Sequence, residues 1–490
     1  MHATLANNPR GAVIAHSRAA RSAAREAFHV TTRIAVRSGK EAREFQTRTF
    51  LHHWDQGNQE RKAKTFLAPD MFHEMRLEVP KIALSIPRGV ADMVGSIPDI
   101  QATARAYFDS VHTWMPIVSK TNFSENLLNR LSHRRAELFL LTLSMKLCSM
   151  VGVTTPQTIL YRTVKELYFS IESSGVLSIQ ILQSGLLIAL YEMGHALYPA
   201  AFLSVANCAR YSTALGIDKV VDDTYVGQLP WHEKEEHRRV WWAIAILDRF
   251  LNLCDPGRQL VTPNPDSNTY LPVDDAAWDA GTSRPDDAFI IGSSSGFHLG
   301  RFARFALVAY LLTQALQQAA AKEPSSNLQL QRTIIALVNV AEEEGHLRRW
   351  GFCTQMAVCH SAILLLESRE WHGRGGKTTL ANTTTGPVST EALTALQAAF
   401  SLISCYLADP NHPPCDFASP FLPHFLYSTG QVYLRIAQVG QGRLSDVSDK
   451  LKVLKHALHR LNNQWLIAGV YLSLLERKEL LVQIQNGALM

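Results

Sequence analysis

Apolar residues recur every three or four positions through most of this chain from about residue 97 onward. The segments 100–108, 136–151, 159–171, 176–198 and 200–215 each keep that spacing, which gathers their apolar side chains on one face of a helix. Pro156 and Gly175 punctuate the series, and Gly216 stands where a helix C-cap is expected. Strand-like alternation is nearly absent. The pattern predicts an all-α fold with one large helical domain over 97–480 and a short tail over 481–490. A basic, poorly ordered N-terminal arm over 1–75 and a linker over 76–96 precede it. Breaks at 221–231, 254–300 and 372–390 predict loops, the last of them rich in Gly and Thr.

One segment carries a stricter repeat. Leu444, Val447, Leu451, Leu454, Leu458, Leu461, Trp465, Ala468, Leu472 and Leu475 alternate spacings of three and four, an unbroken a/d heptad pattern that permits coiled-coil pairing. After Trp465, however, Ile467, Val470, Tyr471 and Leu474 widen the apolar surface beyond a seam. A helix apolar on most sides belongs inside its own domain, so the preferred reading is a core helix rather than a dimer zipper.

Composition sharpens this picture. The chain has 490 residues, 47% hydrophobic and 19% charged, enough to bury a large core. Its seven cysteines are scattered, odd in number and contain no C-x-x-C, which argues against a disulfide framework or a zinc ribbon and for a reducing compartment, nucleus or cytosol. Lys146 interrupts the apolar run 137–153, and Gln180, Gln183 and Ser184 interrupt 176–191, so neither is read as membrane-spanning. The N-terminus lacks the apolar core of a secretory signal.

The net charge of +5 is unevenly placed. Residues 1–50 hold nine basic side chains against three acidic ones, a local excess of +6 that leaves the remainder near −1. Arg18, Arg21 and Arg25 share one helical face, Arg33 and Arg37 follow, and Arg61, Lys62 and Lys64 form a second cluster. Three readings stay open for this arm: a solvated tail, a nucleic-acid-contacting or nuclear-import arm, or a mitochondrial presequence.

The most informative stretch is Glu235-Glu236-His237-Arg238-Arg239-Val240-Trp241-Trp242, running on to Asp248-Arg249-Phe250. A loop, Cys254-Asp255-Pro256-Gly257-Arg258, and the segment Asn268-Thr269-Tyr270-Leu271-Pro272-Val273-Asp274-Asp275 follow. This order resembles the signature of the fungal-specific transcription-factor regulatory domain. The likeness extends to Tyr107, Phe108, Trp114 and Pro116 in an opening segment, to Arg210 and Gly216 around Ala214-Leu215-Gly216-Ile217, and to Ser419-Pro420-Phe421-Leu422 and Trp465 near the end. It covers roughly residues 97–480. Read by chemistry alone, Trp241 and Trp242 are core aromatics, each with one N–H to satisfy. Arg238, Arg239, Asp248 and Arg249 suit ion pairs around the helix, and Leu271-Pro272 ends an irregular crossing.

The resemblance implies a nuclear regulator of RNA polymerase II genes, of a kind that serves a metabolic or secondary-metabolite pathway. Its implied partners are DNA, bound directly or through a partner regulator, a small effector and a second copy of the chain. It also implies zinc, held by six cysteines in two C-x2-C-x6-C halves. Here the first cysteine is Cys148, inside a helical segment, so the ligands of that cluster are absent and no cofactor is expected. A regulator that never had the cluster, a truncated or differently spliced chain, and a basic arm in its place all fit. A helical ligand sensor or scaffold without a chromatin role is the alternative.

Near-matches to enzyme motifs fall short. His232-Glu233-Lys234-Glu235-Glu236-His237 spaces its histidines five apart, about 140° around a helix, too far to share a metal. Trp371-His372-Gly373-Arg374-Gly375-Gly376-Lys377-Thr378 imitates a P-loop with Trp371 in place of the first glycine. Asp222-Asp223-Thr224-Tyr225-Val226 resembles an Asp-rich metal motif but ends in Val226. Gly292-Ser293-Ser294-Ser295-Gly296 matches G-x-S-x-G, with Ala288–Ile291 as a short strand, His412 or His424 as base and Asp409 as orienting acid. A nucleophile elbow nonetheless needs a parallel sheet, and no series of βα units is present. The sequence is therefore read as non-enzymatic, with no catalytic or metal residue, and a serine hydrolase as the remote alternative.

Overall fold

A computed structural model describes residues 86–487 apart from 87, 131–135, 176, 222–228, 294–298, 322–327, 349–352, 374–387, 408–417 and 440–443. The basic arm, with Arg18, Arg21, Arg25, Arg33, Arg37, Arg61, Lys62 and Lys64, lies outside the described residues. The described residues belong to one compact unit, Ala83–Met490. They are helical almost throughout, and the one β feature among them is an antiparallel bridge between Tyr270 and Ile290.

Helix starts follow from local chemistry. Helix α1 (Arg88–Val94) lies inside the stretch read as linker, because Val90 and Val94, one turn apart, both find buried sites. Helix α2 (Ile97–Phe108) opens with Asp99 reaching back to the Ser96 amide at 2.8 Å. After α3 (Lys120–Arg130) comes α4 (Ala136–Cys148), buried on nearly every side. Thr158 caps α5 (Ile159–Ser173) by accepting from the Tyr161 amide, and Ser178 caps α6 (Ile179–Gly194) by accepting from Ile181. Helix α7 (Ala200–Ala214) ends at Gly216, whose φ of +69° is the left-handed conformation that the predicted C-cap requires. A short α8 (Ile217–Val221) leads to α9 (Trp231–Leu251).

The second half continues with α10 (Asp275–Asp279), α11 (Arg301–Ala320), α12 (Leu328–Arg348), α13 (Cys353–Gly373), α14 (Thr390–Leu407) and α15 (Leu422–Val439). Helix α6 is the inner element of the first half, packed by both α4 and α7, and α9 bridges α7 to α11. From α11 the chain layers onward through α13 to α15. The seam between halves is aromatic. Phe421 receives the edges or faces of Trp114 at 5.8 Å, Phe250 at 4.6 Å and Phe305 at 5.5 Å. These perpendicular contacts join the opening segment, α9 and α11 to the closing Ser-Pro-Phe-Leu.

The heptad segment is not one helix. It breaks into α16 (Leu444–Leu461) and α17 (Ile467–Gly487), which pack on each other and on α15. At the break, Asn462 Oδ1 accepts from the Gly469 amide at 3.2 Å, and a Cβ on Gly469 would stand 2.4 Å from that oxygen. The Gln464 side chain likewise donates to a backbone group, the Ala418 carbonyl at 3.0 Å, and the chain turns there without losing the apolar spacing. Val447, Leu451, Leu454, Leu458, Leu461, Trp465, Ala468 and Leu475 are all buried within the domain. Trp465, inside the turn, lays its ring across Gly194 at the end of α6, where any Cβ would approach Trp465 Cε3 to 2.2 Å.

Candidate functional site

Helix α9 carries the signature, and its two polar ends do separate jobs. At the N-terminal end Glu235 is fully buried. It accepts from Arg238 Nη1 at 2.8 Å, from Arg239 Nε at 2.9 Å and from the Val273 amide at 2.9 Å. Arg239, also fully buried, donates through Nη1 to Asp275 Oδ1 and through Nη2 to the Val273 carbonyl, both at 2.7 Å. Its guanidinium lies 4.1 Å above the Trp278 ring. Asp275 in turn accepts from the Phe302 amide at 3.0 Å, at the start of α11. Three elements, α9, the crossing segment 268–275 and α11, thus meet on one chain of charge-assisted hydrogen bonds.

Glu236 faces the other way. It accepts from the Ser119 amide at 3.0 Å, from Gln183 at 2.8 Å and from Asn122 at 3.3 Å. Burial pushes its carboxyl above the ordinary value against the pull of those donors. Nearby, Asp279 bonds His112 at 3.0 Å and Lys120 at 2.6 Å. Burial opposes ionisation of Asp279, but the two partners outweigh it and hold its pKa low, while burial also lowers that of His112.

At the C-terminal end, Asp248 Oδ2 accepts from the Val261 amide, the Thr262 amide and the Thr262 hydroxyl at 3.0, 2.9 and 2.7 Å. Arg249 reaches Thr262 Oγ1, the Pro263 carbonyl at 2.7 Å and Thr313 Oγ1 at 3.0 Å. Burial pushes the Arg249 guanidinium down to about 10. Between these ends Trp241 and Trp242 meet edge to face in the core, and Trp242 Nε1 donates to the Tyr270 carbonyl at 2.8 Å. Leu271 and Pro272 are buried beside that crossing, Tyr107, Trp114 and Pro116 are buried, Phe108 is half-buried, and Arg210 is exposed.

Sequence reasoning singled out the arginines but left out of the site their partners Glu235 and Asp275, and with them Glu236, Thr262 and His112. Glu235 stands four residues before Arg239 and was legible as a helical pair. Asp275 was not, because 36 residues separate it from Arg239.

Only some residues of the enzyme-like motifs are among those described. Ser294 and Gly296 lie outside the described residues, as do His412, Asp409, Asp222–Val226 and Arg374–Thr378. Ile290 pairs with Tyr270 antiparallel, where an elbow needs a parallel sheet. His424 is buried at 3.3 Å from Ser361 Oγ, its pKa pushed down to about 4 by burial. His237 is likewise lowered to about 4, and His232 is exposed. Among the described residues no three of His, Cys, Asp and Glu are grouped to hold a metal ion. Together with the missing C-x2-C pairs, the residues present do not fit the zinc cluster that the resemblance implies. No described helix is long and apolar enough to cross a membrane.

Comparison with known proteins decides the family. The sequence profile of the fungal specific transcription factor domain matches residues 104–342, from within α2 to within α12. Over 153 residues the chain is 37% identical to "Transcription factor BOA15" of Botryotinia fuckeliana, covering 30% of this chain and 85% of that protein. The chain belongs to this family. It is also 27% identical over 154 residues to "Transcription factor tazR" of Aspergillus terreus, and 26% identical over 190 residues to "Pigment biosynthesis transcriptional activator pigB" of Monascus ruber. Those two matches cover 30% and 36% of this chain but only 24% and 34% of the relatives. No solved structure matches the chain.

Proposed function

We propose that this chain is the helical body of a nuclear transcriptional regulator acting on the genes of a secondary-metabolite pathway. The supporting observation is its 37% identity across 85% of a named fungal transcription factor, joined to a signature helix whose charges are answered internally. In this reading Arg239, Trp241, Trp242, Asp248 and Arg249 are a frame, holding the crossing segment and the loop 254–264 in place. The pathway class is carried over from the relative named for pigment biosynthesis.

Contact with DNA runs through the basic arm or through a partner regulator that supplies its own reading module, and a second copy of the chain is a further candidate partner. Arg18, Arg21, Arg25, Arg33, Arg37, Arg61, Lys62 and Lys64 would neutralise phosphates, a sequence-independent contribution that weakens with salt. Chromatin occupancy of the tagged chain tests this. Peaks at discrete promoters are expected. If they vanish on deleting residues 1–65 the arm makes the contact, and if they survive a partner recruits the chain. A folded protein with no enrichment anywhere sinks the regulatory reading.

A further inference from the structure

Helix α17 has two apolar faces, and only one of them is used inside the domain. Ala468, Tyr471, Leu475 and Val482 are buried, on a helix that packs on α15 and α16. The other face is open. Val470, Leu474, Leu480, Leu481 and Ile484 are five of the 17 large apolar side chains exposed among the described residues. The last three stand 57–59% open to solvent. Single exposed apolar residues are ordinary, but a continuous row of them on one element marks a contact surface. Val470 and Leu474 are among the residues that widened the apolar surface beyond the heptad seam, and here they face outward.

The row is ordered. Val470, Leu474, Arg477, Leu481 and Ile484 follow alternating spacings of four and three, which keeps them within about 80° of arc around the helix. Leu480 adjoins the row on one side. Arg477 is its midpoint, seven residues from Val470 and seven from Ile484. Charge is self-complementary at that point. Lys478 lies 5.5 Å over the Tyr427 ring and Glu479 bonds Lys455 at 2.8 Å, so both are engaged within the domain. Glu476 and Arg477 are exposed, and no ion pair with a described residue engages either. Under a two-fold axis at the midpoint, the helix meets its own copy running the other way. Val470 then lies opposite the copy's Ile484, Leu474 opposite its Leu480 and Leu481, and Glu476 of each copy beside Arg477 of the other. A surface shaped for an unrelated partner has no need of this symmetry.

We propose that the outer face of α17 is a homodimer interface, two copies crossing antiparallel with Glu476 of each paired to Arg477 of the other. The row from Val470 to Ile484 spans about 21 Å, short for an interface between proteins, so the dimer is a weak one with a Kd of about 1–100 μM. The second copy considered above thereby gains a surface. That surface rests on the helix alone and stands whether or not the chain meets chromatin.

The test is analytical ultracentrifugation of the full chain from about 1 to 300 μM, where the mass should rise from that of one chain toward that of two. Leu481→Glu should raise the Kd about 30-fold and leave the unfolding midpoint unchanged, because the position is exposed. Arg477→Glu sets like charges across the axis and should raise the Kd about tenfold. Adding Glu476→Arg to it exchanges the two charges, restores the complement and should return the Kd to that of the parent. The proposal is overturned if the chain stays monomeric throughout, as it would with a segment of its own basic arm lying on the row. It is also overturned if Leu481→Glu dimerises like the parent, or if the double variant dimerises no better than Arg477→Glu. Dimerisation without promoter occupancy would sink the regulatory reading alone, and occupancy by a chain that stays monomeric would sink only the interface.

Discussion

Arg239→Met is the sharpest test of the frame. The arginine gives three hydrogen bonds of 2.7 to 2.9 Å to Glu235, Asp275 and the Val273 carbonyl, and it rests 4.1 Å above Trp278, with no exposure to solvent. Methionine fills much of the volume but takes the cation from Asp275 and one of two arginines from Glu235. Glu235 keeps Arg238 and the Val273 amide, while Asp275 keeps only the Phe302 amide among these partners. Removing one member of a buried charge pair costs about 3–5 kcal/mol, and the lost cation–π contact adds up to about 2. Against a typical total of about 5–15 kcal/mol, the variant should unfold at a markedly lower denaturant concentration, with Tm down by roughly 5–10 °C. Arg239→Lys should recover part of this, because it restores charge without the planar fork. Arg258→Ala, which breaks an exposed pair with Asp255, should cost under about 1 kcal/mol. Denaturant titration by far-UV circular dichroism reads all three. If Arg239→Met unfolds within 1 kcal/mol of the parent, the network does not anchor the crossing segment and the argument is wrong.

Two glycines should respond with opposite signs. Gly194→Ala puts a methyl into the Trp465 ring and should cost more than about 2 kcal/mol, whereas Gly89→Ala, on an exposed turn of α1 with nothing within 4 Å, should gain about 0.5–1 in thermal denaturation. Acid should destabilise the domain. Burial lowers His195, His237, His360 and His424 to about 4, below the unfolded value of about 6.5, so the stability they contribute is complete above pH 6.5 and lost as pH falls toward 4. His360 has both ring nitrogens buried without a partner and stacks on Phe425, so His360→Leu should hold or raise stability at neutral pH and flatten the acid slope in a pH series of denaturant midpoints. An unchanged slope would mean that His360 takes up its proton without cost.

Much of this architecture was legible because it is local. Spacings of three and four residues and the left-handed Gly216 each sit within one element. The pairing of Arg239 with Asp275 was not, since periodicity names a face and never the partner that covers it. The heptad after Leu444 misled for a related reason. Apolar spacing persisted across Asn462 to Gln464, while the break depended on Gly469 letting an amide approach the Asn462 side chain.

The ring of Trp465 over Gly194 has a consequence for inheritance. The family profile ends at residue 342, yet the slot at Gly194 lies inside it and the tryptophan that fills the slot comes 271 positions later. The two residues are a lock and key encoded far apart in one chain. A recombination breakpoint or splice choice anywhere between them would pass on a slot with no ring to close it. An exchange of the second half therefore has to bring a residue that fills the slot as Trp465 does.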